Sequence, residues 1–405
     1  MTQNTTNYTY ASIVPLIGGE TIAMENVFGK RPEYILSYSP FVANDSQLNM
    51  HYGNEVPYHL LDKTNESFKN VDVVNTVCPC AGLSMLSRNS NAESETNNWM
   101  FESANYVLKN IMPKVFWGEN APGLYGSMGV PVVEKLRKIA EKYSYTLLLY
   151  KTRSNLHGIG QVRNRSFYFF FKDEDTPIFD YFEKPMTSME DIIRNAYVSE
   201  DDPMNQLVND KKPSDDPWYQ YILEELEGGI SHVEFFKKLE SSTNAISYIQ
   251  KVDGTFAKAK KWFSENGYDS KALRCEVMDK KLASGGSVMK RGTEFGKGCT
   301  SAFVAHFATM LVHPDEDRYI SIREALSIMK MPSDFQLQGG RKNLNMICQN
   351  VPVCTAQDMA ENILKYLDGH LDSIHTDFIK QNNTNKSIEY VNHTSTLDQF
   401  FVDTK

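Results

Sequence analysis

The stretch DVVNTVCPCAGLS, residues 72–84, sets two thiols, Cys78 and Cys80, on either side of Pro79. Such thiols can ligate a metal, form a redox pair, or supply one nucleophile beside a bystander. A metal clip needs about four ligands at fixed spacing, and the nearest companion is a lone histidine, His59, so no metal site is expected. Three other features could do chemistry. An apolar run ends in the acid of Glu119-Asn120, the pattern Gln161-x-Arg163-x-Arg165 precedes SFYFFFK, and the glycine pair Gly18-Gly19 follows ASIVPLI. A carboxyl shielded from water can hold or pass a proton. Arginines can fix oxygens, and paired glycines allow a tight turn.

These residues need a frame. Over the first 170 residues, short β-rich runs alternate with helical patterns. ASIVPLIGG reads as a strand and turn, and ETIAMENVFG as a helix closed by Gly29. YILSYSP is a strand stopped by proline, and NDSQLNMHYG a helix with Asn44 as its N-cap. VDVVNTVCP, KVFWGENAP, YTLLLYKT and SFYFFFK read as further strands, with helices in NNWMFESANYVLKNIMP and VPVVEKLRKIAEKY. This alternation implies an α/β fold with a mostly parallel sheet covered on both faces. Ligands then sit beyond the C-terminal strand ends, where Gly18, Gly19, Ser39, Pro40, Cys80 and Glu119 all fall.

Residues 173–310 break the alternation and read as a second, smaller domain. Helical patterns return over 311–370, and 371–405 reads as a flexible polar tail. The 405 residues are 41% hydrophobic and 23% charged, as in ordinary globular proteins. No apolar run approaches the roughly 20 residues needed to span a bilayer, and the polar N-terminus does not look like a secretion signal. Six cysteines are too few for a disulfide scaffold, so a reducing interior is expected. The net charge of −9 argues against nonspecific nucleic-acid coating. Residues 251–300, however, hold 11 Lys and Arg against 6 Asp and Glu, a surplus of +5.

The strings PCAGLS, ENAPGL, GQVRNR and CQNVPV occur in that order, and together they resemble the DNA cytosine-5 methyltransferase family. The likeness covers about 10–172 and 311–365. It implies a Rossmann-like, S-adenosylmethionine-dependent methyltransferase sheet (1–172), a smaller inserted target-recognition domain (173–310), and a C-terminal segment (311–370) that completes the catalytic domain. By this resemblance Cys80 is the nucleophile that adds to C6 of a flipped-out cytosine, and Cys78 only packs. Glu119 meets N3 and N4, while Arg163 and Arg165 hold O2. Ile17, Gly18, Gly19, Ser39, Pro40, Asp62, Pro79, Asn350 and Val351 bind S-adenosylmethionine. Double-stranded DNA is met by Gln161, Lys280, Lys281, Lys290 and Arg291. A monomer is expected, located in the cytoplasm of a prokaryotic cell or of a phage-infected host, with restriction-modification as one setting.

The chain departs from the family pattern on the cofactor side. Val14 stands at the aromatic that lies on adenine and Leu16 at the first glycine. Ser39 replaces an acid that binds ribose, and Ala81 the usual glutamine after the nucleophile. Two alternatives follow: a DNA-binding homologue with weak or no transfer, or transfer of a different one-carbon group. In the tail, Leu397, Phe400 and Phe401 are spaced like peptides that dock on a DNA sliding clamp.

Overall fold

The computed structural model describes residues 5–79, 82–83, 91–173, 175–288, 292–304 and 308–375. Cys80, Ala81, Lys290, Arg291, Leu397, Phe400 and Phe401 lie outside them. The chain forms two compact units. The first comprises 1–158, 163–185 and 349–405; the second comprises 159–162 and 186–348.

The first unit is built on a seven-stranded sheet. Its strands are β1 (Tyr10–Ile13), β2 (Ile35–Ser37), β3 (Tyr58–Leu60), β4 (Val73–Thr76), β5 (Val115–Asn120), β6 (Thr146–Arg153) and β7 (Asn164–Phe171). They are ordered β3-β2-β1-β4-β5-β7-β6. β1 to β5 run parallel, and β7 lies antiparallel between β5 and β6. β1, β4 and β5 are buried along their whole length. Continuous burial is what helices on both faces of a parallel sheet produce, and it explains why these strands, YASI, VVNT and VFWGEN, do not alternate apolar with polar residues. The helices are α1 (Gly19–Phe28), α2 (Val42–His51), α3 (Asn98–Tyr106) and α4 (Val130–Lys142). Gly29 closes α1 at φ 69°, the left-handed cap that glycine adopts most easily.

Three expectations change here. β3 has no counterpart in the sequence reading, because it is a three-residue, half-buried edge strand with no apolar run to mark it. Asn44 is not the cap of α2. A 3₁₀ turn (Ser39–Phe41) leads into a helix that begins at Val42, and Asn44 inside the first turn donates to Gln349 Oε1 at 2.5 Å. The start of the supposed tail is ordered: β9 (Ser373–His375) pairs antiparallel with β8 (Asp175–Pro177).

The second unit has its own aromatic core, including Trp218, Phe235, Phe263 and Phe295. Residues 311–348 cluster with this unit rather than with the sheet. Charge explains the attachment. Arg323 clasps Asp202 through two bonds of 2.6 and 3.2 Å, and Ser321 and Glu324 cap the helix Ile322–Ile328 reciprocally. Arg318 holds Glu324 as well, at 2.8 and 3.0 Å.

Within the first unit, the helix Val353–Leu367 packs on α1. A buried cluster fixes it. His157 Nδ1 meets Asp358 Oδ2 at 2.7 Å, its Nε2 meets Thr152 Oγ1 at 2.7 Å, and Lys184 also reaches Asp358. Removing one member of a buried charged set leaves the others uncompensated. Asp358→Ala is therefore expected to lower stability by roughly 3 kcal/mol or more, read by urea unfolding.

Candidate functional site

Because β1 to β5 run parallel, the segments that follow them all emerge at one edge of the sheet. The segment after β1 is strained. Val14 and Leu16 sit at φ 50° and 52°, and Gly18 at φ 91°. Left-handed backbone at non-glycine residues costs about 1–3 kcal/mol each and persists only where neighbours enforce it. Here the Val14 N–H donates to Leu36 O at 2.8 Å, and the Gly18 N–H to Pro15 O at 2.9 Å. Asp45, fully buried in the first turn of α2, accepts from the Ser37 hydroxyl and the Tyr58 hydroxyl. Burial raises its carboxyl to about 7 against those hydrogen bonds. Asp45 was not anticipated from the sequence, where it looks like an ordinary acid in a helix's first turn.

The turn requires glycine at 18, where φ is 91°, and is closely packed at 19. A Cβ on Gly18 would lie 2.4 Å from Leu48 Cδ1, and one on Gly19 only 3.2 Å from Asn350 Cβ and Val351 O. The late segment Asn350-Val351 thus lies directly on the start of α1. Asn350 Nδ2 donates to Glu20 Oε2 at 2.8 Å. Glu20 Oε1 and Asn350 Oδ1 are buried and have no hydrogen-bond partner. Ile17 is buried beneath the turn. At the ends of β2 and β3, the Ser39 N–H donates to exposed Asp62 Oδ1 at 3.0 Å, with Pro40 exposed alongside. Pro79 is half-buried beyond β4. Its neighbour Cys78 is buried, with Sγ 3.3 Å from Thr76 Oγ1, and burial raises its thiol.

Glu119, at the end of β5, is 1% exposed. Its Oε2 lies 3.1 Å from Arg165 Nε. Burial pushes its carboxyl above the usual range, while the Arg165 and Arg163 charges pull it back. Arg163 is itself buried, just before β7. Antiparallel β7 sets Ser166 opposite Asn120, so the arginines reach the end of β5 from the neighbouring strand. Ser166 Oγ and Asn120 Nδ2 are buried there without partners. Glu119, Arg163 and Arg165 thus come together as expected, and Glu20 joins them as a second buried carboxyl that interacts with Glu119. The signal for Glu20 in the sequence was an acid placed immediately after the glycine pair.

Gln161 does not fit a DNA-contacting role. It is fully buried in the second unit, where its Oε1 accepts from the Phe303 N–H at 2.9 Å, because the short strand Gln161–Val162 pairs with Thr300–Ser301. Lys280 and Lys281 are exposed in the last turn of the helix Asp269–Ala283, and Lys280 pairs with Glu276 at 2.8 Å. Among the described residues, no cluster of His, Cys, Asp and Glu could hold a metal. No helix among them is long and apolar enough to cross a membrane.

Known proteins are similar to this chain in sequence and in fold. A type II methyltransferase, M.Bpa9945I of Bacillus paralicheniformis, is 20% identical over 322 residues, covering 74% of this chain and 72% of its own length. Among solved structures, a candidate DNA modification methyltransferase encoded within an E. coli prophage superposes with a TM-score of 0.57 at 14% identity, over 89% of this chain and 100% of that one. The Entamoeba histolytica methyltransferase EhMeth gives 0.52 at 12% identity, over 89% and 99%. At such identities the superpositions speak for the fold. The profile of C-5 cytosine-specific DNA methylases matches residues 16–365, from the strained turn through Glu119 and the arginines to the helix behind Asn350. By that span the chain belongs to the C-5 cytosine-specific DNA methylase family.

Proposed function

We propose that this chain transfers a methyl group from S-adenosylmethionine to C5 of a flipped-out cytosine in double-stranded DNA, through a covalent adduct on Cys80. The observation that carries the reading is Glu119, a buried carboxyl raised by burial and held 3.1 Å from Arg165 with Arg163 beside it. Cytosine C5 is a poor nucleophile until a thiolate adds at C6. As charge builds on the ring, an acid at N3 and N4 can pass or share a proton. A carboxyl kept above the usual range by burial holds its proton more readily than an exposed one, as that acid must. Arg163 and Arg165 hold the base oxygen, and the partnerless Ser166 and Asn120 groups are further polar contacts at the same strand end. The geometry needed at C5 is not reachable inside a duplex, which is why the base is taken out of the stack.

The donor side fits S-adenosylmethionine on three observations. The Gly18-Gly19 turn leaves no room for side chains, Ser39 and Asp62 present polar groups side by side, and two buried oxygens near α1 lack partners. Ile17, Gly18, Gly19, Ser39, Pro40, Asp62, Pro79, Asn350 and Val351 would hold it, and when bound it supplies an electrophilic methyl group. DNA contact falls to the basic stretch of 251–300, with Lys280, Lys281, Lys290 and Arg291.

Cys80→Ser is expected to abolish transfer and the adduct with 5-fluorocytosine DNA, while Cys78→Ser keeps most activity. Equal loss in two folded variants would refute the assignment. Glu119→Gln should lower turnover by roughly 10²–10⁴-fold with little change in donor affinity by calorimetry. Replacing Lys280 and Lys281 together with alanine should weaken DNA binding and flatten its salt dependence, because each phosphate contact releases counterions. An unchanged slope would make them solvated surface.

A further inference from the structure

The reaction as described leaves Glu20 without a task. Its side chain is fully buried in the first turn of α1, beside the glycine turn and against Asn350. One oxygen accepts the Asn350 amide, and the other has no partner. Asn350 Oδ1, also buried, has none either. The charged group that faces Glu20 is Glu119 on β5, a like charge, and Glu119 already has Arg165 and Arg163. Burying a carboxylate with neither cation nor full hydrogen bonding is strongly unfavourable. A stable structure therefore keeps Glu20 neutral or gives it a positive partner.

We propose that Glu20, oriented by Asn350, is the counter-ion for the cationic part of the methyl donor. This rests on the S-adenosylmethionine reading above and adds a charge requirement to it. The donor carries two cationic groups, a sulfonium and an ammonium, and either supplies the missing charge. Without a donor, the carboxyl is held at about 8 by burial and by Glu119, against the hydrogen bond from the Asn350 amide. At pH 7 it holds a proton. When the cation enters, that proton leaves to solvent and the carboxylate pairs with the cation, so the site gains no net charge from the exchange. Donor affinity then rises with pH up to about 8 and levels off above it.

Calorimetry on the full chain tests this, with binding enthalpies measured at pH 7 in buffers of different ionisation enthalpy. Wild type is expected to release about one proton on binding S-adenosylmethionine. Glu20→Gln should release none and bind roughly 10- to 100-fold more weakly. Glu20→Asp, which keeps the charge on a shorter arm, should still release the proton. S-adenosylhomocysteine separates the two cations, since it lacks the sulfonium and keeps the ammonium. A matching loss for that ligand in Glu20→Gln identifies the ammonium, and a loss confined to S-adenosylmethionine identifies the sulfonium. Melting curves confirm that each variant is folded. Unchanged affinity and unchanged proton release in folded Glu20→Gln overturn the proposal alone. A wild-type chain that binds no S-adenosylmethionine overturns the donor reading and this inference with it.

Discussion

The β1 side of this site, proposed above to hold the donor, depends on one close approach, that of Asn350 and Val351 to the start of α1. A methyl group on Gly19 would press on Asn350 and Val351 at 3.2 Å, and the Asn350 amide donates to Glu20. The bond joins groups 330 residues apart in the chain, with the whole second unit inserted between them. Closing so long a loop is entropically unfavourable, so something must hold the returning segment. The helix Val353–Leu367 does this by packing on α1 and by committing a buried aspartate, Asp358, to His157, Thr152 and Lys184. Thr152 lies on β6, His157 just beyond it, and Lys184 past β8. The turn that follows β1 is thus braced through the far side of the same unit.

The same bracing accounts for a turn that looks eroded as sequence. Leu16 occupies a left-handed position that suits glycine, and Val14, β-branched, occupies another. Neither would hold that conformation alone. Asp45, Ser37 and Tyr58 form a buried hydrogen-bonded cluster among α2, β2 and β3, and the ladder bond from Val14 to Leu36 fixes the entry. Strain in the turn is opposed by that bond to β2. Lost glycines therefore do not mean a lost turn, because the backbone path is set by its neighbours as much as by its own residues.

What could be seen in the sequence follows from which forces act locally. β1, β4 and β5 announce themselves because burial on both faces demands runs that do not alternate apolar with polar residues. Glu119 and the arginines stand out because charged groups abut such runs. β3 is silent because an edge strand of three half-buried residues has no such demand on it. Gln161 was misassigned by its position in a string: the backbone there turns into the second unit and spends the amide on Phe303. Residues 311–348 were assigned to the sheet by resemblance, yet Arg323 and Asp202 bind them to the second unit. Glu20 and Asp45 were hidden for a shared reason. An acid in the first turn of a helix is the ordinary complement of the helix dipole, and only the distant chain that covers it turns it into a buried group.

The two buried carboxyls differ in how their charge is balanced, and on the functions proposed for them that difference divides the work. Glu119 has two arginines, fixed on a neighbouring antiparallel strand, so it can lose and regain a proton with its surroundings already compensated. Glu20 has an amide and a like-charged neighbour, so its ionised form lacks a counter-charge from the protein. A group of the first kind suits proton movement on a neutral base. A group of the second kind suits recognition of a cation, because the missing charge must come from the ligand. The sheet order supports both uses. β1 and β5 flank β4, which places the two acids on either side of the strand that leads to Pro79 and Cys80. On the proposed function, a base held from the β5 side and a donor held from the β1 side would meet at the end of β4.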